Sequence, residues 1–145
     1  MARGYPDYFG QSMWPKYGTP IKTNVLEDNI AAGDNLDVVS IDGQGVLFDV
    51  NITLATLGAT RDMFLHLRVD SSLMETVEFG SPHLYMSFAA CAYLLLPTYY
   101  SPNGAVCMAR LAREVPFRSS VVLNVTNHTD GIVVASGKVH HYVIT

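Results

Sequence analysis

The sequence predicts an all-β fold: a jelly-roll-like antiparallel β-sandwich of about eight strands, preceded by an extended N-terminal arm. Three observations carry this. Apolar residues recur with period two over most of the chain after residue 36. Clusters of Gly, Pro, Asn, Asp and Ser interrupt that pattern at roughly ten-residue intervals. No segment shows the 3.6-residue periodicity of an amphipathic helix.

Residues 1–30 read as the arm and 31–145 as the sandwich domain. Gly4, Pro6, Gly10, Pro15, Gly18 and Pro20 exclude a helix or a central strand there. Tyr5, Tyr8, Phe9, Trp14 and Tyr17 lie between them, too many aromatics for a flexible linker. Such rings combine apolar area with a polar tip and suit docking. The arm either caps its own sandwich or lies across a neighbouring subunit, and these five residues are the candidate partner-binding set.

From Leu36 the pattern is β. Val46, Phe48, Val50, Ile52 and Leu54 share one face of a strand, opposite Leu47, Asp49, Asn51 and Thr53. Asp42-Gly43-Gln44-Gly45 before it is either a tight hairpin or a kink where one long strand passes between sheets. Met63, Leu65, Leu67 and Val69 mark the next strand, Asp70-Ser71-Ser72 a turn, and Leu73 to Phe79 the return. Leu84 to Leu96 is apolar on both faces, as a fully buried strand or a short buried helix would be, and Tyr85, Phe88 and Tyr93 favour the strand. Pro97 to Gly104 reads as a loop ending in an Asn-Gly turn. Ala105 to Arg113, the stretch through Phe117, Val121, Leu123 and Val125, and Ile132 to Ile144 complete the strands.

Composition narrows the function. The 145 residues suit one domain able to bury a core without disulfides. Charged residues make up only 15%, against about a quarter in ordinary domains. Either the surface is uncharged and polar, or neighbouring chains cover much of it. Net charge is −4 with no basic run, which argues against a nucleic-acid or anionic-membrane partner. The longest apolar stretch is too short to span a bilayer, and no signal-peptide core follows the N-terminus. A chain made and kept in a cytoplasm is expected. In that compartment Cys91 and Cys107 are expected as buried thiols rather than a disulfide.

Catalytic chemistry is not expected. His140 and His141 are adjacent in a strand and point to opposite faces, so they cannot chelate one metal. His66, His83 and His128 lack ligand spacing. No nucleophile elbow is present, and Gly43-Gln44-Gly45 lacks the Lys-Ser/Thr of a phosphate loop. The odd spacing of Glu75 and Glu78 sends one inward and one outward rather than forming a dyad. No cofactor is expected. Three sequons, at Asn51, Asn124 and Asn127, read as chance in a Thr- and Asn-rich chain. Tyr99 and Tyr100 could stack on sugar rings or serve as interface aromatics.

Arg3-Gly4-Tyr5-Pro6-Asp7-Tyr8-Phe9-Gly10-Gln11-Ser12, followed by Trp14-Pro15-Lys16-Tyr17-Gly18, resembles the opening of small virion proteins of tailed bacteriophages. Gly43-Gln44-Gly45-Val46-Leu47 and Phe117-Arg118-Ser119-Ser120-Val121 are similar to later pieces of such proteins. Their Val-Asp-Gly turn stands here as Val69-Asp70-Ser71. The resemblance implies a non-enzymatic virion component: a capsid decoration, a minor head or neck protein, or a tail component. Its implied partners are further copies of itself, as in a trimer, and other virion proteins such as the major capsid protein. The competing class is a carbohydrate-binding β-sandwich module.

Overall fold

Alternation of apolar and polar side chains is satisfied when two sheets press their apolar faces together. A computed structural model of the protein shows this arrangement, and describes residues 22–56, 58, 62–80, 84–88, 94–100 and 105–143. Eleven strands are present among them: β1 (Lys22–Ile30), β2 (Asn35–Asp42), β3 (Gly45–Thr56), β4 (Asp62–Val69), β5 (Ser72–Gly80), β6 (Leu84–Phe88), β7 (Leu95–Tyr100), β8 (Val106–Leu111), β9 (Val115–Phe117), β10 (Ser120–Asn127) and β11 (Val133–Val143). One sheet runs β1-β11-β3-β8-β7, with β9 also paired to β3; the other runs β2-β10-β4-β5-β6. With β6, β7 and β9 set aside, β1-β11-β3-β8 faces β2-β10-β4-β5. Apart from the β4–β5 hairpin, successive strands of this set switch sheets, as in a jelly roll.

The core lies between the sheets. Ile52 and Leu54 of β3, Leu65 and Leu67 of β4, and Leu123 and Val125 of β10 are buried there. Each such side chain contributes roughly 1.5–3 kcal/mol. Glu75 is fully buried among them, and its two carboxyl oxygens accept the backbone N–H groups of Leu94 and Leu95. A carboxyl on the five-stranded sheet thereby holds the start of β7 in the other sheet. Glu78, one odd step along β5, is only half-buried, as the spacing predicts.

Several expectations are corrected. Residues 22–30, assigned to the arm, form β1; only Leu26 and Ile30 turn to the core, so its polar residues conceal the strand. Leu84 to Leu96 is not one strand: β6 belongs to one sheet and β7 to the other. Residues 97–100, read as loop, belong to β7, an edge strand that tolerates Pro97. In β3, Phe48 is an extra residue opposite the His140/His141 step, a bulge that turns Leu47 into the core and leaves Phe48 outside.

The Gly43–Gly45 alternatives resolve as the kink, since β2 and β3 lie in different sheets. Gly43 adopts φ +108°. A Cβ on Gly45 would sit 2.0 Å from the Tyr142 carbonyl oxygen, inside backbone that cannot yield cheaply. Opposite this kink, Asp70 and Ser71 both take positive φ (53° and 69°) in a two-residue hairpin turn, where a glycine would fit without the strain that Ser71 bears. Gly45→Ala is expected to lower stability by at least about 3 kcal/mol, measured by urea denaturation. An unchanged midpoint would refute the close approach.

Candidate interaction surfaces

Three parts of the molecule bring chemistry-bearing residues together: the kinked end of the sandwich, the outer face of the five-stranded sheet, and the outer face of the six-stranded sheet.

At the kinked end, the Asp70 carboxylate accepts the backbone N–H groups of Arg118, Ser119 and Ser120 and the Ser119 hydroxyl, at 2.7 to 3.2 Å. The Ser119 N–H, followed by those of Ser120 and Arg118, holds this carboxyl below its usual pKa against a smaller desolvation cost. Gly43 N–H donates to the Ser119 carbonyl at 2.8 Å, and Gly45 pairs with Phe117. The three sequence pieces around Gly43, Asp70 and Ser119 therefore meet at one corner. An anion-binding loop is present there, and the chain's own Asp70 fills it. A shallow concavity of about 320 Å³ beside it is lined by Gln44, Val46, Pro116 and Arg118, among others.

On the outer face of the five-stranded sheet, Phe64 stacks with His66 (centroids 6.0 Å) and meets the His128 ring edge-on (5.1 Å). His66 Nδ1 is 2.9 Å from the Thr76 hydroxyl. Burial lowers the His66 pKa, helped by Arg68 and His128. Glu78 is shifted the opposite way: desolvation, then a hydrogen bond and repulsion from Asp62, raise its pKa, while His128 opposes them. Asn124 Nδ2 donates to Asp37 at 2.8 Å farther across the same sheet. The face offers an aromatic ring flanked by carboxyl and amide groups.

The outer face of the six-stranded sheet divides in three. Nearest the end opposite the kink, Tyr99 (48% exposed), Met108 (40%) and Val134 lie with Thr53, Ala55 and Ser136, and none is charged. A polar belt follows, with Lys138, Asn51 and Arg110 in register. His140 lies 3.6 Å from Asp49, and its Nδ1 is 3.0 Å from the Thr23 hydroxyl. Beyond the belt are Val46, Phe48 and Tyr142, whose rings lie 5.9 Å apart at Phe48 and Tyr142.

Of the residues singled out in the sequence, Tyr99 is exposed on β7 opposite exposed Met108. The backbone of Tyr100 is opposite buried Cys107; its side chain lies outside the described residues. Tyr5, Tyr8, Phe9, Trp14 and Tyr17 also lie outside them, as do His83, Cys91 and the Asn103-Gly104 turn. Cys107 is buried, and desolvation pushes its thiol pKa up to about 12. Among the described residues no group of three or more His, Cys, Asp or Glu is placed to hold a metal ion. No helix there is long and apolar enough to cross a membrane.

Sequence reasoning missed the role of Asn127. It is fully buried; its amide nitrogen donates to the carbonyls of Ile30 (2.9 Å) and Gly131 (2.8 Å). Its amide oxygen accepts the Thr129 N–H (2.8 Å) and hydroxyl (2.7 Å). The third sequon is therefore a structural turn whose amide is inaccessible to sugar attachment in the folded chain. The Asn-x-Thr spacing was the visible signal, since an Asn oxygen commonly binds the backbone two residues on.

His141 faces inward beside Leu47, and burial followed by repulsion from Lys22 lowers its pKa below 6.5. The unfolded chain then binds more protons than the folded one as pH falls through 6.5, so this histidine destabilises the fold progressively on acidification. His141→Leu is expected to flatten the fall in Tm between pH 7 and pH 5 seen by calorimetry. Parallel curves for variant and parent would refute this.

No protein-family model matches the chain, and no curated protein is a significant match.

Proposed function

We propose that the chain is a structural component of a bacteriophage virion, a capsid decoration or minor head or neck protein, that assembles through its N-terminal arm and its sandwich surfaces. The observation that carries this reading is the uncharged outer patch of Tyr99, Met108 and Val134. An uncharged, partly apolar sheet face suits contact with further copies or with a capsid lattice. The resemblance of the arm to openings of small virion proteins adds to it, and a tail position fits the same surfaces.

The mass in solution tests the reading, by light scattering behind size exclusion. An oligomer such as a trimer is expected, and Met108→Asp should return it to a monomer with an unchanged circular dichroism spectrum. A parent chain that is monomeric at every concentration and does not bind phage capsids would sink the proposal.

A second reading, a carbohydrate-binding module, is favoured by Phe64 with its neighbouring carboxyl and amide groups. Sugars pack a ring face on an aromatic and take hydrogen bonds from planar polar groups. Glycan-array binding lost in Phe64→Ala would support it; no binding by the parent chain would dismiss it.

A further inference from the structure

Among the described residues seven large apolar side chains are exposed, and four of them, Val25, Tyr99, Met108 and Val134, share the outer face of the six-stranded sheet. Their direction follows from the buried residues beside them. Leu26 turns inward, so Val25 and Glu27 turn out; Val139 and Ala109 do the same for Lys138, Met108 and Arg110. Register then sets these residues in rows across the strands. Glu27, Ser136, Thr53, Met108 and Tyr99 form one row. Val25, Lys138, Asn51, Arg110 and Leu96 form the next.

The charges on these rows are separated. Glu27 is the one charge of the first row, and Lys138 and Arg110 are the two of the second. None of the three is ion-paired among the described residues. Asp49, one row farther on beside His140, balances the second base, so the fixed charges of this face cancel in a chain of net charge −4. A copy of the chain is therefore repelled by most of the acidic surface and not by this face. The complement the face asks for is apolar at its centre, with a base opposite Glu27 and an acid opposite Lys138. That complement is the same face turned over.

We infer that this face is an isologous contact with a second copy of the chain, in which Glu27 of each copy pairs with Lys138 of the other. The twofold axis lies across the strands, between the two rows, and lays the first row of one copy on the second row of the other. Glu27 then falls over Val25 of the second copy, one strand spacing, about 4.8 Å, to the side of Lys138. Met108 falls over the aliphatic stem of Arg110, whose guanidinium reaches the Tyr99 ring. The axis makes each contact twice. Five strands make the face about 24 Å wide, an extent suited to a specific contact. The inference deepens the assembly reading by naming the face and its partner, and it rests on that reading.

Mixing two charge-reversed variants tests it. Glu27→Lys alone and Lys138→Glu alone each set like charges opposite one another twice. Each should raise the dissociation constant of the dimer at least about tenfold, read by light scattering over a dilution series, with circular dichroism unchanged. Combined in equal amounts, the two variants should form a dimer as stable as the parent's, at twice the chain mass of 15.9 kDa. Both remain acidic, at net charges of −2 and −6 from the parent's −4, so general attraction between them does not restore pairing. If one reversal disturbs the fold, the chain carrying both decides, since it should dimerise as the parent does. Variants that stay monomeric when mixed, or that dimerise singly like the parent, would overturn the inference. So would a trimeric parent, because a twofold contact closes at two, although a trimer lost in Met108→Asp would uphold the assembly reading. A monomeric parent that binds phage capsids likewise ends this pairing and keeps that reading.

Discussion

A chain that alternates between two sheets must cross from one to the other without leaving a buried backbone unpaired, and the crossing between β2 and β3 is the tightest here. Gly45 brings its backbone against the Tyr142 carbonyl at a distance no side chain permits. That contact seats the start of β3 beside the end of β11. From there follow the pairing of β9 with β3, the position of Phe117 in the core and the loop of N–H groups that Asp70 occupies. An anionic carboxylate in this loop replaces the ligand that such a loop would otherwise attract, so the corner is best understood as a latch between the two sheets.

Polarity is distributed over the surface in the same spirit. Two fully buried polar side chains are satisfied by backbone: Glu75 by Leu94 and Leu95, Asn127 by Ile30, Gly131 and Thr129. Most remaining charge on the six-stranded sheet is gathered into one belt through Lys138, Arg110 and Asp49. Two weakly charged areas remain on either side, one around Met108 and one around Phe48. The low charge content of the sequence thus has a spatial counterpart, concentrated on one face.

How much of this was legible beforehand depended on whether local pattern or distant pairing decided the outcome. The strands around Leu65 and Leu123 were readable because both faces obey period two and both ends carry turn residues. The β1 strand was not, since an edge strand needs only Leu26 and Ile30 inside. The reversal at Phe48 depends on a bulge opposite residues more than ninety positions later, which no local pattern encodes. The run from Leu84 to Leu96 looked continuous because crossing between two buried sheets requires no polar interruption. For the candidate surfaces, spacing correctly separated Glu75 from Glu78 and His140 from His141. The grouping of Phe64 with His128, or of Tyr99 with Met108, came only from strand order.

The same strand order imposes a schedule on synthesis. β11 is the strand between β1 and β3, and β10 is the strand between β2 and β4. Until residues 120–143 leave the ribosome, each sheet lacks a central member, and four strands present open hydrogen-bonding edges. A nascent chain in that condition is a template for mispairing with its neighbours on the same message. Closure of both sheets waits for β10 and β11, so termination anywhere before β10 yields a sticky fragment rather than a smaller folded domain.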